Sequence, residues 1–185
     1  MAQVKAFDLV QTSTVIPNTK RLQAAFRAAA ATGAACEVAH CRIQSLTADG
    51  RDRGRQHQKM GINLPPGCAG AQFLSGVEPE GDELVWSKTA SNVFVSTNIH
   101  FVLGNMGVSD IVMVGVLTDE CLGSAAKVAS DLGYSVTVVS DATAAVLPEA
   151  TEAALLTLSR FGEVVCTDEY LGVVTADANA PSSRL

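Results

Sequence analysis

The sequence predicts an α/β fold: a three-layer α/β/α, doubly wound, mostly parallel sheet in a single domain over residues 1–185. Three observations point there. Short β-branched runs such as "DIVMVGV" and "YSVTVVSD" alternate with longer segments whose apolar residues recur every three or four positions. Parallel strands need a crossover between them, and a helix supplies it. The stretch "GVLTDECLGSA" at 115–125 passes from strand to helix through a tight turn, and Leu122, Ala125, Ala126, Ala129 and Leu132 follow at helical spacing. The chain has 185 residues, 48% hydrophobic and 17% charged, which is enough to bury one sizeable core.

The elements follow in order. The opening "MAQVKAFDLVQ" lacks the apolar centre of a signal peptide. Pro17 and Asn18 precede "TKRLQAAFRAAAATG", a predicted helix that Gly33 ends. "AACEVAHC" reads as a buried strand. Residues 44–70 are polar, long and punctuated by Gly and Pro, the character of a lid or binding segment. "DELVW" is a short strand ending just before Lys88, and Ser96 or Thr97 can cap "NIHFVLGNMG" as a helix. "DIVMVGV" is the next strand, residues 119–132 the next helix, and "YSVTVVSD" a further strand. Pro148 opens the helix "EATEAALLTLSRFG", "EVVCT" is the last strand, and residues 175–185 read as a flexible tail.

Composition narrows the function. The net charge is −6 and no Lys/Arg run occurs, which argues against nucleic acid or an anionic membrane as partner. No apolar run reaches the roughly 20 residues that span a bilayer. The five cysteines (Cys36, Cys41, Cys68, Cys121 and Cys166) are scattered and form no C-x-x-C, so neither a disulfide framework nor a zinc site is expected. A reducing cytoplasm is the expected compartment.

In doubly wound sheets chemistry collects beyond the carboxyl ends of the strands. Lys88, Cys121 and Asp141 fall at such ends. Cys121 opens a helix, where the dipole and unpaired N–H groups favour a thiolate; the competing reading is a small buried hydrophobe. Spacing alone makes Lys88 a solvated lysine and Asp141 a cap or turn residue. Asp119 and Glu120 suit the start of a helix, and Cys36, Cys41 and Cys166 suit a core. Cys68 reads as a surface thiol. His40, His57 and His100 show no metal-ligand spacing.

"GVLTDECLGSAAKVASDLGYSVTVVSDATAA" resembles the signature of the isochorismatase-like cysteine hydrolases, as does "LVWSKTASNVFVSTNIHFVLGNMGVSDIVMVG". "VIPNTKRLQAAFRAA" and "GINLPPG" resemble the subgroup that hydrolyses amides and ureides. The resemblance covers residues 15–171. It implies an Asp–Lys–Cys triad carried here by Asp8, Lys88 and Cys121, with a cis peptide at Val116–Leu117. The N–H groups of Leu117 and Cys121 would form an oxyanion hole. The start departs from the pattern: Asp8 precedes Val15 by only seven positions, and Lys5 replaces an apolar residue. Either "VKAFDLV" is an irregular first strand with a shortened loop after it, or the start is truncated. The metal-binding histidines of the nicotinamidase branch are absent.

The resemblance thus implies a hydrolase of a small amide or ureide acting through a thioester, with no organic cofactor. Two alternatives remain: vinyl-ether hydrolysis of the isochorismatase type, and a catalytically silent, oligomeric binding protein. Residues 44–70 with Trp86, Asn92 and Phe94 are the expected walls of a substrate pocket. Val93, Phe94, Val95, Ile99 and Phe101 put more apolar area around one short helix than one face need bury, so a homo-oligomer, dimer or tetramer, is expected.

Overall fold

The structure, a computed structural model, describes residues 14–178. In order the elements are α1 (Ile16–Ala31), β1 (His40–Ile43), α2 (Arg55–Lys59), a 3-10 turn (Ala69–Ala71), β2 (Val85–Lys88), α3 (Val93–Ser96) and α4 (Ile99–Asn105). Then come β3 (Asp110–Val116), a π turn (Thr118–Leu122), α5 (Gly123–Asp131), β4 (Ser135–Ala144), α6 (Pro148–Leu158), β5 (Glu163–Val165) and α7 (Thr167–Ala178). β1 pairs with β2, and β3, β4 and β5 pair in that order; every pairing is parallel.

The layers follow from alternation along β3, whose successive side chains face opposite ways. Ile111 and Met113 pack on Val136, Val138, Ala126, Ala129 and Leu158, under α5 and α6. Val112 and Val114 pack on Leu22, Val139 and Ala142, with Tyr170 and Leu171, under α1 and α7. Helices therefore cover both faces of one sheet within a single domain, as predicted. Each aliphatic side chain fully buried this way contributes about 1.5–3 kcal/mol. Pro17 and Pro148 stand in the first turns of α1 and α6, where a missing N–H costs nothing. Among the described residues no helix is long and apolar enough to cross a membrane.

Several boundaries differ from the sequence reading. The strand expected in "AACEVAHC" begins only at His40, because its pairing partner β2 is four residues long and runs from Val85 to Lys88. Lys88 is therefore the last strand residue rather than the one after it. β4 continues past Asp141 to Ala144. From the Met113–Val138 pair to the Gly115–Thr143 pair the register advances two residues on β3 and five on β4, so β4 bulges there. Residues 167–178 are helical, so the tail expected from 175 begins no earlier than 179, outside the described residues.

Candidate active site

Lys88 and Cys121 meet at the carboxyl ends of β2 and β3. Lys88 is 4% exposed. Its Nζ donates to the carbonyls of Ser91 (2.8 Å) and Ala90 (3.2 Å) and to Cys121 Sγ (3.2 Å). An ammonium has three donors, and here each has one acceptor. A buried charge is costly unless it is hydrogen-bonded, so the third acceptor, the Cys121 sulfur, completes the set. The solvated lysine that spacing favours is not what the structure shows.

Cys121 stands in the π turn, partly exposed. That turn is anchored at both ends. Thr118 is fully buried and shares a 2.8 Å hydrogen bond with Thr143 Oγ1 on β4. Gly123 lies so close beneath that a Cβ there would come within 2.5 Å of the Thr118 carbonyl oxygen. The N–H groups of Glu120 and Leu122 both donate to the Leu117 carbonyl. The Val116–Leu117 peptide bond is cis.

The 44–70 segment docks against the strand end rather than hanging free. Asp52 accepts hydrogen bonds from the N–H groups of Leu46 (2.7 Å) and Thr47 (3.1 Å) and from the Thr47 hydroxyl, which holds its carboxyl down at about 2. Arg53 donates to the carbonyls of Gly50 and Ile62, both at 2.7 Å. Gly54 N–H donates to the Thr89 carbonyl at 2.9 Å. α2 then brings His57, 3% exposed, against Ser91, with Nε2 3.5 Å from Ser91 Oγ.

Three residues expected to line a pocket have framework roles. Trp86 belongs to the larger core cluster and donates its Nε1–H to Asn98 Oδ1 at 3.1 Å. Asn92 is the N-cap of α3, its Oδ1 accepting from Phe94 N and Val95 N while its Nδ2 donates to the Ser124 carbonyl and hydroxyl. Its hydrogen-bonding capacity is used up. Phe94 packs on the core, its ring 5.8 Å from that of Tyr134. Of the two caps expected for α4, Thr97 supplies one bond, its Oγ1 accepting from Ile99 N at 3.2 Å, while Ser96 Oγ donates back to the Asn92 carbonyl and Asn98, the N-cap residue, makes no side-chain cap bond.

Asp141 is the cap it was read to be. Its Oδ1 accepts from the N–H (2.8 Å) and hydroxyl (2.6 Å) of Thr167 at the start of α7. Asp8 lies outside the described residues. Cys41, expected in the core, has accessible surface, yet surrounding protein pushes its thiol up, against a smaller opposing pull from Lys88. Cys41 and Ile43 stand in register with Trp86 and Lys88, so these four share a sheet face. Reading that face needed the pairing register, which the sequence does not state. Among the described residues no set of three or more His, Cys, Asp and Glu side chains is placed to share a metal ion.

Comparison with known proteins agrees with this architecture. A model of the isochorismatase domain matches residues 3–169. A probable inactive nicotinamidase from Arabidopsis thaliana is 38% identical over 113 residues, 58% of this chain and 58% of that protein. The ureidoacrylate amidohydrolase RutB from Agrobacterium fabrum is 28% identical over 126 residues, 67% of this chain and 55% of that protein. The matched region therefore spans a little more than half the length of these relatives. The crystal structure of a cysteine hydrolase from Pseudomonas syringae pv. phaseolicola superposes with a TM-score of 0.80 at 23% identity, over 90% of this chain and 82% of that one. At that identity the likeness is one of fold.

Proposed function

This chain belongs to the isochorismatase family, and on that premise we propose that it is a cysteine hydrolase that opens the C–N bond of a small amide or ureide. The observation that carries the reading is the 3.2 Å contact between the buried Lys88 ammonium and Cys121 Sγ. A cation fixed beside sulfur favours the nucleophilic thiolate and the negative charge that develops on attack. The similarity to an amidohydrolase of a ureido acid supports an amide or ureide as substrate.

In the proposed reaction the thiolate attacks the carbonyl carbon, and its oxygen becomes an oxyanion held by the N–H groups of Leu117 and Cys121. The C–N bond breaks, the amine leaves carrying the proton taken from the thiol, and a thioester remains on Cys121. Water then attacks the thioester, the sulfur leaves as thiolate and the acid is released. Asp8 is proposed as the base that shuttles the proton.

Mass spectrometry of the protein mixed with a panel of amides and ureides tests this. An acyl adduct on Cys121 is expected in the wild type, and neither adduct nor turnover in Cys121→Ala. Asp8→Asn should lower turnover by about 10²–10⁴-fold in a folded protein. Amide turnover by Cys121→Ala would remove Cys121 from the mechanism, and isochorismate turnover by that variant would favour vinyl-ether hydrolysis. The Arabidopsis relative, described as probably inactive, favours a second reading in which the fold binds without reacting. Binding of a panel member with no adduct and no turnover would select that reading.

A further inference from the structure

We infer that His57 is a positioning residue for the Lys88–Cys121 pair, acting through Ser91 from α2. The inference rests on the reading of Cys121 as nucleophile and adds to it a support outside the triad.

Three observations converge. First, Lys88 is placed by backbone: the Ser91 carbonyl at 2.8 Å is the shorter of its two oxygen contacts, Ala90 at 3.2 Å the other. A lysine stem of four methylenes is flexible, so where those two carbonyls lie decides where the ammonium lies. Second, the segment carrying them is backed by residues 54–57. Gly54 N–H donates to the Thr89 carbonyl, Gly54 sits so near Ala90 that a Cβ would come within 3.3 Å of the Ala90 Cβ, and His57 Nε2 reaches Ser91 Oγ. Third, His57 is 3% exposed, its Nδ1 meets no partner within hydrogen-bond geometry among the described residues, and the Thr89 backbone acts on the same ring. Burying a ring with one nitrogen unsatisfied is costlier than burying a leucine of similar size. The contacts with Ser91 and with the Thr89 backbone are what an apolar residue would not supply, and both belong to the segment that places Lys88.

The electrostatics suit that task. Burial first, then the positive charge of Lys88, holds the imidazole below its ordinary range, against an opposing pull from the Thr89 backbone, and Arg53 on the same segment adds to the lowering. The ring is therefore neutral near pH 7. It braces the Lys88 acceptors without setting a second cation against the one that serves Cys121.

The rate of Cys121 alkylation by iodoacetamide, followed by peptide mass spectrometry from pH 5 to 9, reads the placement of Lys88 directly. In His57→Leu, which keeps the volume and loses the nitrogen, the pH–rate profile is expected to move up by about one unit, a fall of about 10-fold in rate below its midpoint. Ser91→Ala should move it in the same direction. His57→Gln, whose amide can reach Ser91, should restore most of the rate. If His57→Leu does not fold, Ser91→Ala and His57→Gln carry the test. Folded variants with the wild-type profile would overturn the inference and leave the nucleophile reading standing. A wild-type Cys121 that reacts no faster than Cys68 would overturn both.

Discussion

Lys88 shows how much of a site one side chain can decide. Its ammonium is enclosed with two carbonyls and one sulfur as partners. Lys88→Met removes the charge and leaves the Ala90 and Ser91 carbonyls without that donor. The lost hydrogen bonds and the relieved burial of charge offset one another, so stability should change little. Catalysis should not be spared: turnover is expected to fall by about 10²–10³-fold, the scale of one preorganised electrostatic contact. Steady-state kinetics with a thermal melt separates the two effects, and unchanged turnover would exclude Lys88 from the chemistry. Cys121 was legible in the sequence because its signals are local, a strand, a turn and a helix start within a dozen residues. The burial of Lys88 was not, because the groups that enclose it come from other parts of the chain. His57 was less legible still, since its meaning depends on Ser91, 34 positions away.

At the scale of elements, the π turn is the part most exposed to a small change. A methyl group at position 123 would meet the Thr118 carbonyl oxygen at 2.5 Å, and backbone cannot swing aside as a side chain can. Gly123→Ala should cost about 1–3 kcal/mol in a denaturant titration and displace Cys121 with the turn. Gly104 in α4 is the control. Nothing lies within 4 Å of a Cβ there, and Gly104→Ala should stabilise by about 0.5–1 kcal/mol. Equal effects at the two positions would refute the argument. Element type was readable from periodicity in the longer segments, because a helix face or an alternating strand is written within one segment, whereas the helices at 55–59, 93–96 and 167–178 went unread. Element length was not. β1 is as long as its pairing with β2 allows, and β4 runs past Asp141 because β3 pairs with its bulged end. The cap role of Asn92 was not read, although an Asn before an apolar run can begin a helix.

For the whole molecule, the layered core was legible in outline, whereas the outer surface depends on which apolar residues turn inward. Of the five around α3 and α4, Val93 is buried and Phe94 and Ile99 pack on the core. Val95 and Phe101 stand 74% and 70% exposed. Two apolar side chains this exposed on consecutive short helices are surface of the kind that a second copy of the chain would cover. We therefore expect a dimer or tetramer by sedimentation at micromolar concentration. Phe101→Glu should shift it towards monomer without unfolding it, and a wild-type monomer would count against the expectation.

The meeting of Lys88 and Cys121 across 33 positions also has a meaning in time. During synthesis the lysine leaves the ribosome well before the sulfur that will face it. Until β3 and the π turn have emerged, the segment around Lys88 has carbonyls to hold but no sulfur. The enclosure of that ammonium therefore waits until the π turn has emerged. A growing chain stalled before Cys121 should keep Lys88 in water, open to acylating reagents that the finished protein excludes.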